Sequence, residues 1–140
     1  MTVESCAIAH EADDVERRFG GLARLYGVSL DDCTGAGTGL DAAGVARKRA
    51  VLAQALAVNA DAVEPLDALA ALGGFEVAAL TGAVLQAALE RRVIVVDGFI
   101  TSAAVLVAAR LQPHILQRCV FTHGSAEPGH ALMLAQLGAQ

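Results

Sequence analysis

Three short stretches of this chain gather residue types that can do chemistry. TGAGTGLD, residues 34–41, alternates glycines that accept positive φ, then runs into a helical pattern carrying Lys48 nearly two turns further on. Backbone N–H groups from such a loop, with an ammonium behind them, can cradle a phosphate. The spacing completes neither a Walker nor a dinucleotide fingerprint, so an ordinary glycine turn with a solvated helix lysine stands as the other reading. VVDGF, residues 95–99, closes a β-branched run with Asp97 and lets the chain turn at Gly98. Asp97 reads as a ligand-facing acid or as an N-cap, and the two roles are compatible. FTHGSAEPGH, residues 121–130, crowds His123, Ser125, Glu127 and His130 around a loop that opens a helix at Pro128. Residues two apart in one loop rarely align as a hydrolase relay, so Ser125 and Glu127 read instead as helix caps or ligand contacts. The four histidines lack the paired helical spacing of metal motifs, and neither a metal nor another cofactor is expected.

The frame that must position these stretches can be read from periodicity. An amphipathic helix is expected over 11–27, with Val15, Phe19, Leu22, Leu25 and Tyr26 on one side, followed by an extended piece at 28–33. Asp41 stands as the N-cap of a helix reaching about Asn59, and a short helix over 66–72 ends at Gly73. The next helix, from Gly74 or Phe75 to about Arg92, is apolar nearly all round, which implies burial on several sides. Val93 to Val96 is a continuous β-branched run, the pattern of a parallel strand covered on both faces. A helix over 100–111 stopped by Pro113 and a second buried strand at Cys119–Phe121 complete a βαβ unit with adjacent parallel strands. A last helix runs from Pro128 or Gly129 to Leu137. In an open α/β sheet of this kind, ligands bind beyond the carboxyl ends of the strands, where the three stretches fall.

Composition narrows the function classes. A chain of 140 residues with 55% hydrophobic and 18% charged residues is a single globular domain and excludes intrinsic disorder. The net charge of −5 argues against general binding to nucleic acid or anionic membranes, so any anion is held locally. With 4% aromatics and no Trp, the core must be made of Ala, Val and Leu around closely approaching backbones. Cys6, Cys33 and Cys119 are odd in number and far apart, which points to neither a disulfide framework nor a zinc pair and fits a reducing cytoplasm. The first residues carry no signal-peptide pattern. Ala68 to Leu89 is long and apolar enough to cross a bilayer, but Glu76 would cost about 2.5 to 3.5 kcal/mol there, and a helix buried between layers is preferred. Glu76 itself reads equally as a satisfied buried carboxylate or a functional one.

Beyond these patterns, TGAGTGLDAAGVARKRAVLAQAL, ALGGFEVAALTGAVLQAA, VIVVDGFITSAA and FTHGSAEPGHALML, in that order, resemble consecutive blocks of the nicotinate-nucleotide:dimethylbenzimidazole phosphoribosyltransferase family of cobalamin biosynthesis. The resemblance covers about residues 20–138 and implies an α/β, Rossmann-like parallel sheet with flanking helices. The implied reaction moves phosphoribose from nicotinate mononucleotide to 5,6-dimethylbenzimidazole, giving α-ribazole 5′-phosphate and nicotinate. The implied substrate contacts are Gly37, Thr38 and Gly39 on the nucleotide side, Lys48 near the phosphate, Asp97, Gly98 and Phe99 at the strand end, and Ser125, Ala126 and Glu127 in a loop over the same ligand. Small molecules are then the partners, with no nucleic acid and no membrane, and a homodimer is compatible with the resemblance.

The departures bear on activity. Family members are more than twice as long, and an Arg-Leu-Gly-Glu-Gly segment whose Glu is the family's general base would fall beyond Gln140. No catalytic residue is therefore assigned within the chain. Residues 1–19 form an unmatched segment and 20–140 a partial transferase domain, incomplete relative to the family. A transferase represented by part of its fold is the first reading, and a non-catalytic nucleotide- or phosphate-binding module is the alternative.

Overall fold

The computed structural model describes residues 27–35, 39–124 and 128–139. The helix expected over 11–27 lies outside them, apart from Gly27. Where an extended piece was expected at 28–33, the chain makes a helical turn, α1 (Leu30–Cys33). Ser29 explains the difference: its hydroxyl oxygen accepts from the Asp32 N–H at 3.2 Å, and Asp31 and Asp32 complement the positive helix start. Helix α2 (Ala42–Val58) begins as expected, with the Asp41 carboxylate accepting from the Gly44 N–H at 2.8 Å, and ends at Asn59. Arg49 of α2 reaches back to Asp31 at 3.0 Å and ties the two helices together.

Helix α3 (Pro65–Leu72) carries Pro65 where its missing N–H costs nothing, and Gly73 caps it by donating to the Leu69 carbonyl at 2.9 Å. The approach there is so close that a Cβ at position 73 would sit 2.4 Å from that oxygen. Helix α4 (Phe75–Leu89) follows at once, so the apolar run over 68–89 is broken into two short helices. Among the described residues no helix is long and apolar enough to cross a membrane. Helix α4 also stops earlier than the expected Arg92, at Glu90 and at Arg91, whose φ of 59° leaves the helical region.

The expected burial of α4 on several sides is not observed. Val77, Thr81 and Val84, one stripe at helical spacing, are buried, while Phe75 is 97% exposed and Leu89 76% exposed. Its principal described neighbour is α5, which covers that stripe. Thr81 fits the contact by donating its hydroxyl to the Val77 carbonyl at 2.7 Å, four residues back, so its polar group is satisfied inside the interface.

Strands β1 (Ile94–Val96) and β2 (Cys119–Phe121) pair in parallel, with Ile94 opposite Cys119, Val95 opposite Val120 and Val96 opposite Phe121. The βαβ unit is as expected, but neither strand is covered on both faces. Ile94 and Val96 turn inward, whereas Val95 and Val120 are more than half-way or half-way open to solvent. Described helices lie against one face only, so the β-branched run alternates between core and surface.

Between the strands, helix α5 (Gly98–Leu111) is the centre of the molecule. Ser102 through Ala109 are all buried, because α3, α4, β1, the last helix and a 3₁₀ helix (Pro113–Arg118) surround it. Its SAAVLVAA sequence lets neighbouring backbones come close on every side. Helix α6 (Pro128–Gln136) packs on α5 and on α1, and His130, Met133 and Leu137 form its buried line.

Candidate functional site

The carboxyl ends of β1 and β2 lie side by side, and their continuations form the site. After β2, Thr122 is anchored to β1: its N–H and its hydroxyl both donate to the Val96 carbonyl, at 3.1 and 3.2 Å. After β1, Gly98 takes a φ of +77°, so the chain turns straight from strand into α5. The glycine makes that turn itself, and Asp97 responds accordingly. It stands before the first helical residue, but its side chain caps no N–H, and it is exposed. The capping role expected for Asp97 is thus not observed, which leaves an acid presented at the strand end.

Phe99 packs edge-on against the His130 ring, with centroids 5.8 Å apart, and His123 lies 6.5 Å from His130. His130 is fully buried, and its Nε2 lies 3.1 Å from the Ser102 hydroxyl. Burial, with a smaller effect of neighbouring His123, pushes the His130 pKa below its ordinary value of 6.5. Asp97, Gly98, Phe99, His123 and His130, separated by up to 33 positions, are therefore gathered at one end of a two-stranded sheet. Ser125, Ala126 and Glu127 fall outside the described residues, so their expected capping or ligand roles stand where the sequence left them.

Helix α1, which precedes the glycine loop in the chain, packs against α6, which follows the His123 loop. Gly39 has a φ of +121°, a conformation that favours glycine, and Gly37 and Thr38 lie outside the described residues. Thr34, at the loop's entry, is buried with no hydrogen-bond partner for its hydroxyl among the described residues. Lys48 is 5% exposed, so the reading of a solvated surface lysine is overturned. Glu76 is half-buried in the first turn of α4.

Two thiols lie among the described residues. Cys33 and Cys119 are both unpaired, and burial pushes each pKa up, so neither is an activated nucleophile. Among the described residues no group of three or more His, Cys, Asp or Glu could hold a metal ion. Sequence reasoning missed Ser102, which looked like one more small residue in an apolar helix. A signal for His130 was available in its spacing from Met133 and Leu137, which places it on the inward line of α6.

Residues 21–140 match the family model described as phosphoribosyltransferase. The chain belongs to this phosphoribosyltransferase family. It is 71% identical over 119 residues to the nicotinate-nucleotide–dimethylbenzimidazole phosphoribosyltransferase of Variovorax paradoxus, covering 85% of this chain and 34% of the relative. The protein of the same name from Cupriavidus taiwanensis is 62% identical over 118 residues, with 84% and 34% covered. A crystal structure of CobT from Thermus thermophilus superposes with a TM-score of 0.85 at 32% identity, covering 91% of this chain and 38% of that one. The chain thus spans about a third of the length of the phosphoribosyltransferases it matches. Its fold is an incomplete α/β fold of that family, helix-rich with a small parallel sheet.

Proposed function

We propose that these residues form the nucleotide-holding part of a transferase that moves phosphoribose from nicotinate mononucleotide to 5,6-dimethylbenzimidazole. In that reaction the bond from C1′ of the ribose to the nicotinate nitrogen breaks as a bond to a benzimidazole nitrogen forms. Nicotinate leaves, the acceptor loses a proton, and α-ribazole 5′-phosphate results. Gly37, Thr38 and Gly39 with Lys48 take the phosphate, and Asp97, Gly98 and Phe99 with Ser125, Ala126 and Glu127 face the rest of the nucleotide. Residues 20–140 act as part of the transferase domain, and residues 1–19 are a segment outside the family match. No residue of the chain is given the role of base.

The observation that carries the reading is the family match over residues 21–140, which contains every residue named and joins them to relatives whose name states both substrates. The burial of Lys48 supports it from the physical side. At 5% exposure Lys48 is largely withdrawn from water, and a phosphate that met its ammonium would gain charge-assisted hydrogen bonds that water would otherwise weaken.

Calorimetric titration with nicotinate mononucleotide and with nicotinic acid tests the assignment. The nucleotide should bind more tightly, and more weakly as salt is raised. Lys48→Met, which keeps the buried stem and removes the charge, should lose about 1.5 to 3 kcal/mol of binding. Equal affinities for wild type and Lys48→Met would remove Lys48 from the phosphate site. Absence of nucleotide binding to the wild type would overturn the reading for these residues as a whole.

A further inference from the structure

Ser102 and His130 form a buried polar pair inside an otherwise apolar contact, 1% and 0% exposed, and no role proposed above uses them. The proton positions follow from counting. A serine hydroxyl has one hydrogen, and Ser102 donates it to the Gly98 carbonyl at 2.8 Å, an atom that only accepts. Toward His130 Nε2, at 3.1 Å, the same oxygen must then accept. His130 therefore donates from Nε2, and burial of the ring favours its neutral form.

The pair joins two parts of the chain that are 28 positions apart. On one side is the first turn of α5, where Ser102 holds the carbonyl of Gly98, the residue that turns the strand into the helix. On the other is the third residue of α6, at the far end of the connection from β2. The near end of that connection is already fastened, because Thr122 donates twice to the Val96 carbonyl. Two fastenings, Thr122 to Val96 and His130 to Ser102, thus hold the residue after β2 and the start of α6 beside the strand-end turn, and Phe99 lies edge-on to the His130 ring.

We propose that Ser102 and His130 are positioning residues of the nucleotide site: through the Gly98 carbonyl–Ser102–His130 chain they set the spacing between the Asp97–Phe99 turn and the start of α6. This rests on the proposed function, in which the turn and the residues that precede α6 face the nucleotide. Neither residue touches a reacting atom. The donor on Nε2 matters, and the ring as such does not, so a glutamine at 130, whose amide nitrogen falls near the place of Nε2, keeps the function and a phenylalanine does not.

The test combines two measurements on the 140-residue chain. Nitrogen-15 spectra of the histidine rings should show His130 neutral and protonated on Nε2 at pH 7. Titration with nicotinate mononucleotide should give about tenfold weaker binding for Ser102→Ala and His130→Phe, as expected for a lost buried hydrogen bond. His130→Gln should recover most of the affinity lost in His130→Phe. Wild-type affinity in folded His130→Phe, or His130→Gln as weak as His130→Phe, would overturn the inference. A proton on Nδ1 in a wild type that binds the nucleotide would overturn it alone, and a wild type that binds no nucleotide would overturn the underlying reading with it. If the variants fail to fold, the spectrum of the wild type still decides.

Discussion

Substituting alanine for Gly73 and for Gly82 should move stability in opposite directions, although both glycines belong to the same pair of short helices. At Gly73 the added Cβ would lie 2.4 Å from the Leu69 carbonyl oxygen and 2.7 Å from Leu69 Cδ1. The side-chain contact can relax by rotation, but the oxygen belongs to the backbone of the last turn of α3. Relief requires lengthening the 2.9 Å bond from the residue 73 N–H to that same carbonyl, or opening the turn. Loss of one hydrogen bond and some backbone strain together amount to about 1 to 3 kcal/mol. Gly82 lies inside α4, exposed, with open space where its Cβ would stand. Alanine there gains helix propensity and lowers the entropy of the unfolded chain, a stabilisation of about 0.5 to 1 kcal/mol. Urea unfolding followed by circular dichroism, with an unchanged m-value, reads both effects as shifts of the midpoint. A Gly73→Ala chain as stable as the wild type would refute the reasoning, since the close approach is its whole basis.

Two further outcomes are expected. Asp41→Ala should cost about 1 kcal/mol, the worth of the N-cap bond to the Gly44 N–H, and the same urea unfolding measures it. Stability should also fall as the pH drops below the ordinary histidine range. The folded-state pKa of His130 is depressed, so below about 6.5 the unfolded chain binds more protons than the folded one, and stability is lost until the pH passes below the folded value. His130→Gln should make the profile flatter over that range; an unchanged slope would remove His130 as its source.

What was legible in the sequence was mostly local. Asp41 could be read as a cap because the bond it makes reaches only three residues ahead, and Gly73 could be read as a stop for the same reason. The strand at Ile94–Val96 followed from a β-branched run, and its parallel partner from a second short apolar run a helix-length connection away. Coverage of those runs was not legible, because a β-branched residue records a preference for extended backbone and says little about what lies on each face. Val95 and Val120 are thus as apolar as Ile94, yet open. Asp97 turned on a single dihedral: with Gly98 at positive φ the acid misses the capping geometry that its position promised. Ser102 was out of reach for a different reason, since its meaning depends on a histidine 28 positions away.

The parallel pairing of β1 and β2 also dictates an order of events when the chain collapses. Unlike a hairpin, which can zip from its turn, this two-stranded ladder has no local nucleus: Ile94 and Cys119, like Val96 and Phe121, must meet across the whole of α5 and the 3₁₀ helix. Closing so long an unstructured loop costs entropy before any strand bond repays it. Helix α5 shortens the gap, since each helical residue advances the chain by only about 1.5 Å, but α5 is stable only when its flanks are packed. Early structure should therefore reside in the contact of α4 with α5, and the sheet end that carries Asp97 should be the last part to take shape.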